Sequence, residues 1–91
     1  MTTKIAWPEN VIARYLTVGG ATVDLTHDNL LADDTKPNVS IVHCGGCLAY
    51  SSSEWQLHVD QWSDGSTWAD EAVRRWAQSH AETCRAIPKP A

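Results

Sequence analysis

Hydrophobic and polar positions alternate or recur along most of the chain, and the periods predict an α+β fold. Val11, Ile12, Tyr15, Leu16 and Val18 recur at helical spacing, Pro8 suits a first helical turn, and Gly19-Gly20 suits its end. This predicts an N-terminal helix over 8–18. Ala21, Val23 and Leu25 then alternate with Thr22, Asp24 and Thr26, as in a half-buried strand over 21–26. A polar loop over 27–38 follows, with Leu30-Leu31 expected to tack it down; its aspartates lack the spacing of an EF-hand loop. Val39, Ile41 and Val42 make a second strand running into Cys44. The alternation of Trp55, Leu57 and Val59 with polar residues predicts a third strand over 54–60.

A polar turn at Ser51-Ser53 and another at Ser63-Gly65 bracket that third strand. Thr67 can cap a long helix, with Asp70 in a weak capping box, and Pro88 and Pro90 stop it after about Arg85. Trp68, Ala72, Trp76, His80 and Cys84 form one i+4 row on this helix, read as its buried stripe. The expectation is one domain over 1–91: an N-terminal helix, a three-stranded mainly antiparallel sheet and a long C-terminal helix, with a frayed tail at 88–91.

Composition adds the scale. The chain has 91 residues, of which 43% are hydrophobic and 20% charged, so it reads as a folded globule with a small core. Its net charge of -4 argues against a free-standing nucleic-acid binder. No long apolar run reads as a membrane span or a secretory leader, which makes the cytoplasm the expected compartment. Three cysteines cannot all pair within one chain, so a secreted disulfide scaffold is disfavoured.

The cysteines belong to the strongest chemical signal. Cys44-Gly45-Gly46-Cys47 is a CxxC knuckle and His80-Ala81-Glu82-Thr83-Cys84 an HxxxC pair, with residues 48–79 between. A two-residue spacer lets two sulfurs point at one centre, and positions i and i+4 of a helix share a face. Cys44, Cys47, His80 and Cys84 therefore make a candidate Cys₃His zinc site with no open position, which is structural rather than catalytic. Two alternatives stand beside it. The CxxC alone could be a thiol–disulfide redox pair, and His43 could replace His80 as a ligand.

No nucleophile elbow, phosphate loop or dinucleotide fingerprint is present, so the reading is non-enzymatic. Trp55, Trp68 and Trp76 are read as core in a chain without phenylalanine, while Trp7 and Trp62 are better placed for a partner. Arg14, Arg74, Arg75 and Arg85 could form a basic patch if folding gathers them. The preferred function is protein–protein recognition, probed against the alternative of DNA or RNA binding through the C-terminal helix; nothing selects an oligomeric state.

The order strand, cysteine turn, strand, helix over 39–85 resembles an elaborated ββα zinc finger. The common finger has about 12 residues between its ligand pairs, far fewer than here. Trp76–Ala86 and Tyr15–Val23 also resemble the two halves of small actinobacterial zinc-ribbon-like proteins of unassigned role, a group with members on mobile elements. The resemblance implies a zinc ligand set and no activity.

Overall fold

In the computed structural model, which describes residues 10–31 and 36–87, four strands precede one long helix. The strands are β1 (Val11–Leu16), β2 (Thr22–Asp28), β3 (Val39–Cys44) and β4 (Tyr50–Glu54), and the helix is α1 (Ser66–Thr83). The sheet is an antiparallel meander in the order β1-β2-β3-β4, with α1 packed on one face.

The N-terminal helix expected over 8–18 is instead β1. Pro8 lies outside the described residues. Spacing of i, i+1, i+4 and i+5 fits a helix face, but it also leaves Ala13 and Tyr15 on one side of a strand. That side packs inward, with Ala13 opposite Leu25 and Tyr15 opposite Val23, while Leu16 stays exposed. Val11, Ile12 and Tyr15 are branched or aromatic and suit a pleated surface. Gly19-Gly20 closes a hairpin rather than a helix: Thr17 donates its N–H to the Ala21 carbonyl, and Ala21 donates back to Thr17 Oγ1, both at 2.9 Å.

The third expected strand is displaced. β4 ends at Glu54, and Trp55–His58 form a 3₁₀-helix. The alternation at 55–59 buries little, since Leu57 is 72% exposed. Ser51–Ser53, expected as a turn, lie within β4, with Ser51 opposite Val42 and Ser53 opposite Ser40. Leu30 and Leu31 are exposed, and the Leu30 tie is polar rather than apolar: its N–H donates to Asn38 Oδ1 at 2.7 Å.

The long helix is present, with a different start and a different buried face. Its N-cap is Gly65, with φ of 91° and no side-chain cap, so Thr67 and Asp70 form no capping box. A Cβ on Gly65 would run into the Trp55 carbonyl, so close packing and the left-handed backbone both require glycine there. Asp64 Oδ1 accepts the Ser66 N–H at 3.0 Å in place of the expected cap.

The buried stripe is Ala69, Val73, Ala77 and Ala81, one position beyond the expected row. Trp68 is 53% exposed, Ala72 is exposed, and Trp76 is half-buried. Small side chains let the helix approach a sheet whose facing positions include Ser40 and Ser51; indoles in that stripe would hold the two layers apart. The core joins Val73, Ala77, Ala81 and Cys84 to Val23, Leu25, Val42 and Cys44.

At the N-terminal end of α1, a polar cluster ties helix to sheet. Ser40, fully buried, donates its hydroxyl to Asp70 and accepts the Trp55 Nε1–H at 2.9 Å. His27 Nε2 lies 2.8 Å from the same Asp70 oxygen, with its ring edge-on to Trp55. His27 is thus half-buried.

Candidate metal centre

The four residues singled out by spacing converge at the other end of α1. One ligand atom from each of Cys44, Cys47, His80 and Cys84 lies within 4.8 Å of the others, a group that could hold one metal ion. The Cys44 and Cys84 Sγ atoms are 3.8 Å apart, and Cys47 Sγ is 3.2 Å from His80 Nε2. Two sulfurs each about 2.3 Å from a tetrahedral ion stand about 3.8 Å from one another. The first separation therefore has the span of a tetrahedral edge.

Local structure explains the convergence. Cys44 is the last residue of β3, and strand alternation turns it inward with Val42 while His43 faces solvent. His43 thus points away from the cluster and does not replace His80. The knuckle that follows is tightly hydrogen-bonded: Leu48 donates to the Cys44 carbonyl at 3.1 Å, and Cys44 to that of Ala49 at 2.8 Å. Leu48 adopts φ of 68°, a left-handed conformation that costs a branched residue about 1–2 kcal/mol. The chain accepts that strain while turning Cys47 back toward the helix.

On the helix side, the i,i+4 argument needs an amendment. α1 ends at Thr83, and Cys84 is its C-cap, in an extended conformation, with its N–H still donating to the His80 carbonyl. The sulfur therefore approaches the knuckle from just beyond the helix. The β1–β2 hairpin holds this end: Val18 and Gly19 donate their N–H groups to the carbonyls of Ala81 and Cys84, each at 3.0 Å. These capping bonds satisfy acceptors that the end of a helix leaves open.

The His80 ring is oriented by a stack on Trp76, with centroids 4.7 Å apart and planes 7° from parallel. Supports of this kind fix a ligand's ring for coordination. The i,i+4 spacing of Trp76 and His80 is the sequence signal for this stack.

The electrostatics suit a cation. Burial pushes the Cys44 thiol up, but the Cys47 and Gly46 N–H groups, His80 and Cys47 stabilise its thiolate more strongly, lowering its pKa to about 6. For Cys84, a hydrogen bond from Ala86 favours the thiolate; burial and the Cys47 and Cys44 sulfurs outweigh it, and the pKa is raised. Crowded sulfurs resist carrying charge together, and a divalent ion removes that conflict.

Of the four arginines of the expected basic patch, three make contacts of their own. Arg14 lies on the sheet face away from α1, paired with Asp24 at 2.7 and 2.9 Å. Arg74 donates to the Tyr15 hydroxyl at 3.3 Å, Arg75 pairs with Glu71 at 3.0 Å, and Arg85 is exposed beyond the helix. The pairing of Asp70 with Arg74 that helical spacing allows gives way to the contacts of Asp70 with Ser40 and His27. Trp62 is 85% exposed, and Trp7 lies outside the described residues. Among the described residues, no helix is long and apolar enough to cross a membrane. No protein-family model, curated protein or solved structure matches the chain.

Proposed function

We propose that Cys44, Cys47, His80 and Cys84 hold one structural zinc ion, and that the chain is a small non-enzymatic module acting through protein–protein recognition, with a regulatory role in the cytoplasm. The observation that carries the zinc reading is the convergence of three sulfurs and one imidazole nitrogen within 4.8 Å. That donor set is borderline-soft, fills a tetrahedron and leaves no position for a reacting water, the pattern of structural zinc sites. None of the three cysteines is in a disulfide, so all three sulfurs are available as ligands.

Protein recognition is favoured over nucleic-acid binding by how the surface groups are used. Arg14 and Arg75 are paired with carboxylates, and the net charge is -4. Large apolar side chains, by contrast, stand in solvent at Leu57, Val59, Trp62 and Trp68. Exposed aromatic and aliphatic groups of this kind serve as anchors in protein interfaces.

Native mass spectrometry of the protein purified without added reductant tests the zinc reading. The expected result is one zinc per chain with three thiol protons lost. A metal-free chain in zinc-containing buffer, or a resting Cys44–Cys47 disulfide, overturns it.

A further inference from the structure

The four candidate ligands differ in how solvent reaches them. Cys44 and Cys84 are buried, His80 is half-buried, and Cys47 alone is exposed, at the outer side of the knuckle. They also divide by element: Cys44 ends β3 and Cys47 lies in the turn that follows it, whereas His80 is in the last turn of α1 and Cys84 is its C-cap. Any oxidant entering from solvent therefore meets Cys47 first, with another cysteine within reach.

We propose that this centre is a peroxide-sensitive clasp: a hydroperoxide oxidises Cys47, Cys44 closes on it as a disulfide, and the metal is released, leaving the helix end held by its hairpin bonds and core packing but no longer tied to the knuckle. This inference rests on the zinc reading above. In the first step the Cys47 thiolate attacks the peroxide, an S–O bond forms, the O–O bond breaks, and hydroxide (or an alkoxide) leaves. In the second the Cys44 thiolate attacks the Cys47 sulfur, an S–S bond forms, and the S–O bond breaks with loss of a second hydroxide. Two electrons pass from sulfur to the peroxide oxygens. With two protons taken up, hydrogen peroxide ends as two waters.

Cys44 is the resolving partner because the two-residue spacer that aims both sulfurs at one ion also aims them at each other. The consequence follows from the topology. A Cys44–Cys47 disulfide lies wholly within the knuckle, so Cys84 and His80 keep no link to the sheet through the site. A Cys44–Cys84 disulfide, though that pair is 3.8 Å apart, would instead fasten helix to sheet covalently. Which bond forms therefore decides whether oxidation opens the clasp or locks it.

The test uses the full chain loaded with zinc, with bound zinc measured before oxidation. Absence of zinc at that point refutes the zinc reading. The loaded protein is then treated with hydrogen peroxide while a chromogenic chelator follows zinc release and peptide mapping locates disulfides. The expected result is one zinc released per chain, a Cys44–Cys47 disulfide, Cys84 free for alkylation, and recovery of zinc binding after thiol reduction. Retained zinc, a Cys44–Cys84 or Cys47–Cys84 disulfide, or release that thiol reduction does not reverse overturns the clasp. A Cys47→His variant adds a kinetic arm. Where it binds zinc, release slows by about ten-fold or more, since the accessible thiolate is gone; release at the wild-type rate overturns Cys47 as the entry point. The disulfide map of the unmodified chain decides the matter even if that variant binds no metal.

Discussion

Gly19 and Gly46 stand on either side of the Ala86 carbonyl. A Cβ on Gly19 would lie 2.5 Å from that oxygen, and a Cβ on Gly46 would lie 2.7 Å from it. One glycine belongs to the β1–β2 hairpin and the other to the cysteine knuckle, so the backbone just after Cys84 threads between them. One glycine of each pair thus serves one task, which is to let the chain carrying Cys84 reach the site.

Gly19→Ala and Gly46→Ala are therefore each expected to destabilise the folded protein by about 1–3 kcal/mol and to speed zinc loss, because the opposing atoms are backbone and cannot swing away. Gly45→Ala is the control. Its Cβ would meet only the Thr22 carbonyl at 3.5 Å, an ordinary contact, and the expected change is within about 0.5 kcal/mol. Urea melts and chelator competition on the three variants measure both quantities.

Metal removal is expected to melt the fold. Zinc binding by such donor sets is worth about 10–16 kcal/mol at neutral pH, whereas a core of this size supplies about 3–5 kcal/mol by itself. Cys44→Ser is expected to act in the same direction, since it removes a buried donor at the centre of the core. Circular dichroism and thermal melts with and without a strong chelator measure this. Native spectra and an unchanged Tm after complete demetallation contradict it.

The polar cluster offers a change that separates stability from metal binding. Asp70→Ala leaves the buried Ser40 hydroxyl without its acceptor and removes the partner of His27. The expected cost is about 1–3 kcal/mol. Asp70 lies about 15 Å along the helix from His80, so the variant, while folded, is expected to bind zinc with wild-type stoichiometry and affinity. A lower Tm with unchanged chelator competition is the outcome sought.

Asp64 supplies a pH dependence of known sign. Hydrogen bonds from Ser66, side chain first and backbone second, hold its carboxyl below the ordinary 3.8. A depressed folded-state pKa contributes stability that is present above the unfolded value and lost as pH falls through the folded one. The stability gap between wild type and Asp64→Asn is therefore expected to be constant near neutral pH and to close as pH drops below 3.8. Denaturant melts of both proteins across that range test it, and a gap that widens on acidification contradicts the assignment.

The surface reading predicts that nucleic-acid probes titrated at low salt give no salt-sensitive binding, and that Arg74→Ala with Arg75→Ala leaves the signal unchanged. Salt-sensitive binding that this double variant weakens would transfer the function to the DNA- or RNA-binding alternative.

What was legible in the chain depended on how local its cause was. β2 is legible in its place, because Val23 and Leu25 alternate with Asp24 and Thr26 and no helical period competes. Residues 11–16 favour a helix by themselves, since Val11, Ile12, Tyr15 and Leu16 follow its period; pairing with β2 overrides that period and leaves Ile12 and Leu16 exposed. The buried helix face lies one residue beyond the row of Trp68, Ala72 and Trp76, in which tryptophan carries most of the apolar signal. In the fold, the space between helix and sheet admits Ala69, Ala77 and Ala81 but no indole.

The sequence by itself determined the donor chemistry: three thiols and one imidazole in two short motifs, on a chain with too small a core and too few cysteines for a disulfide framework. Ligand identity and knuckle spacing are properties of neighbouring residues, so they need no tertiary knowledge. Tertiary structure alone decided that an N-terminal hairpin rather than a helix braces the site, that Cys84 reaches the knuckle from just past the helix end, and that Cys47 is the donor left open to solvent. Those outcomes depend on which surfaces meet across the fold, where backbone pairing and the space available override the local period.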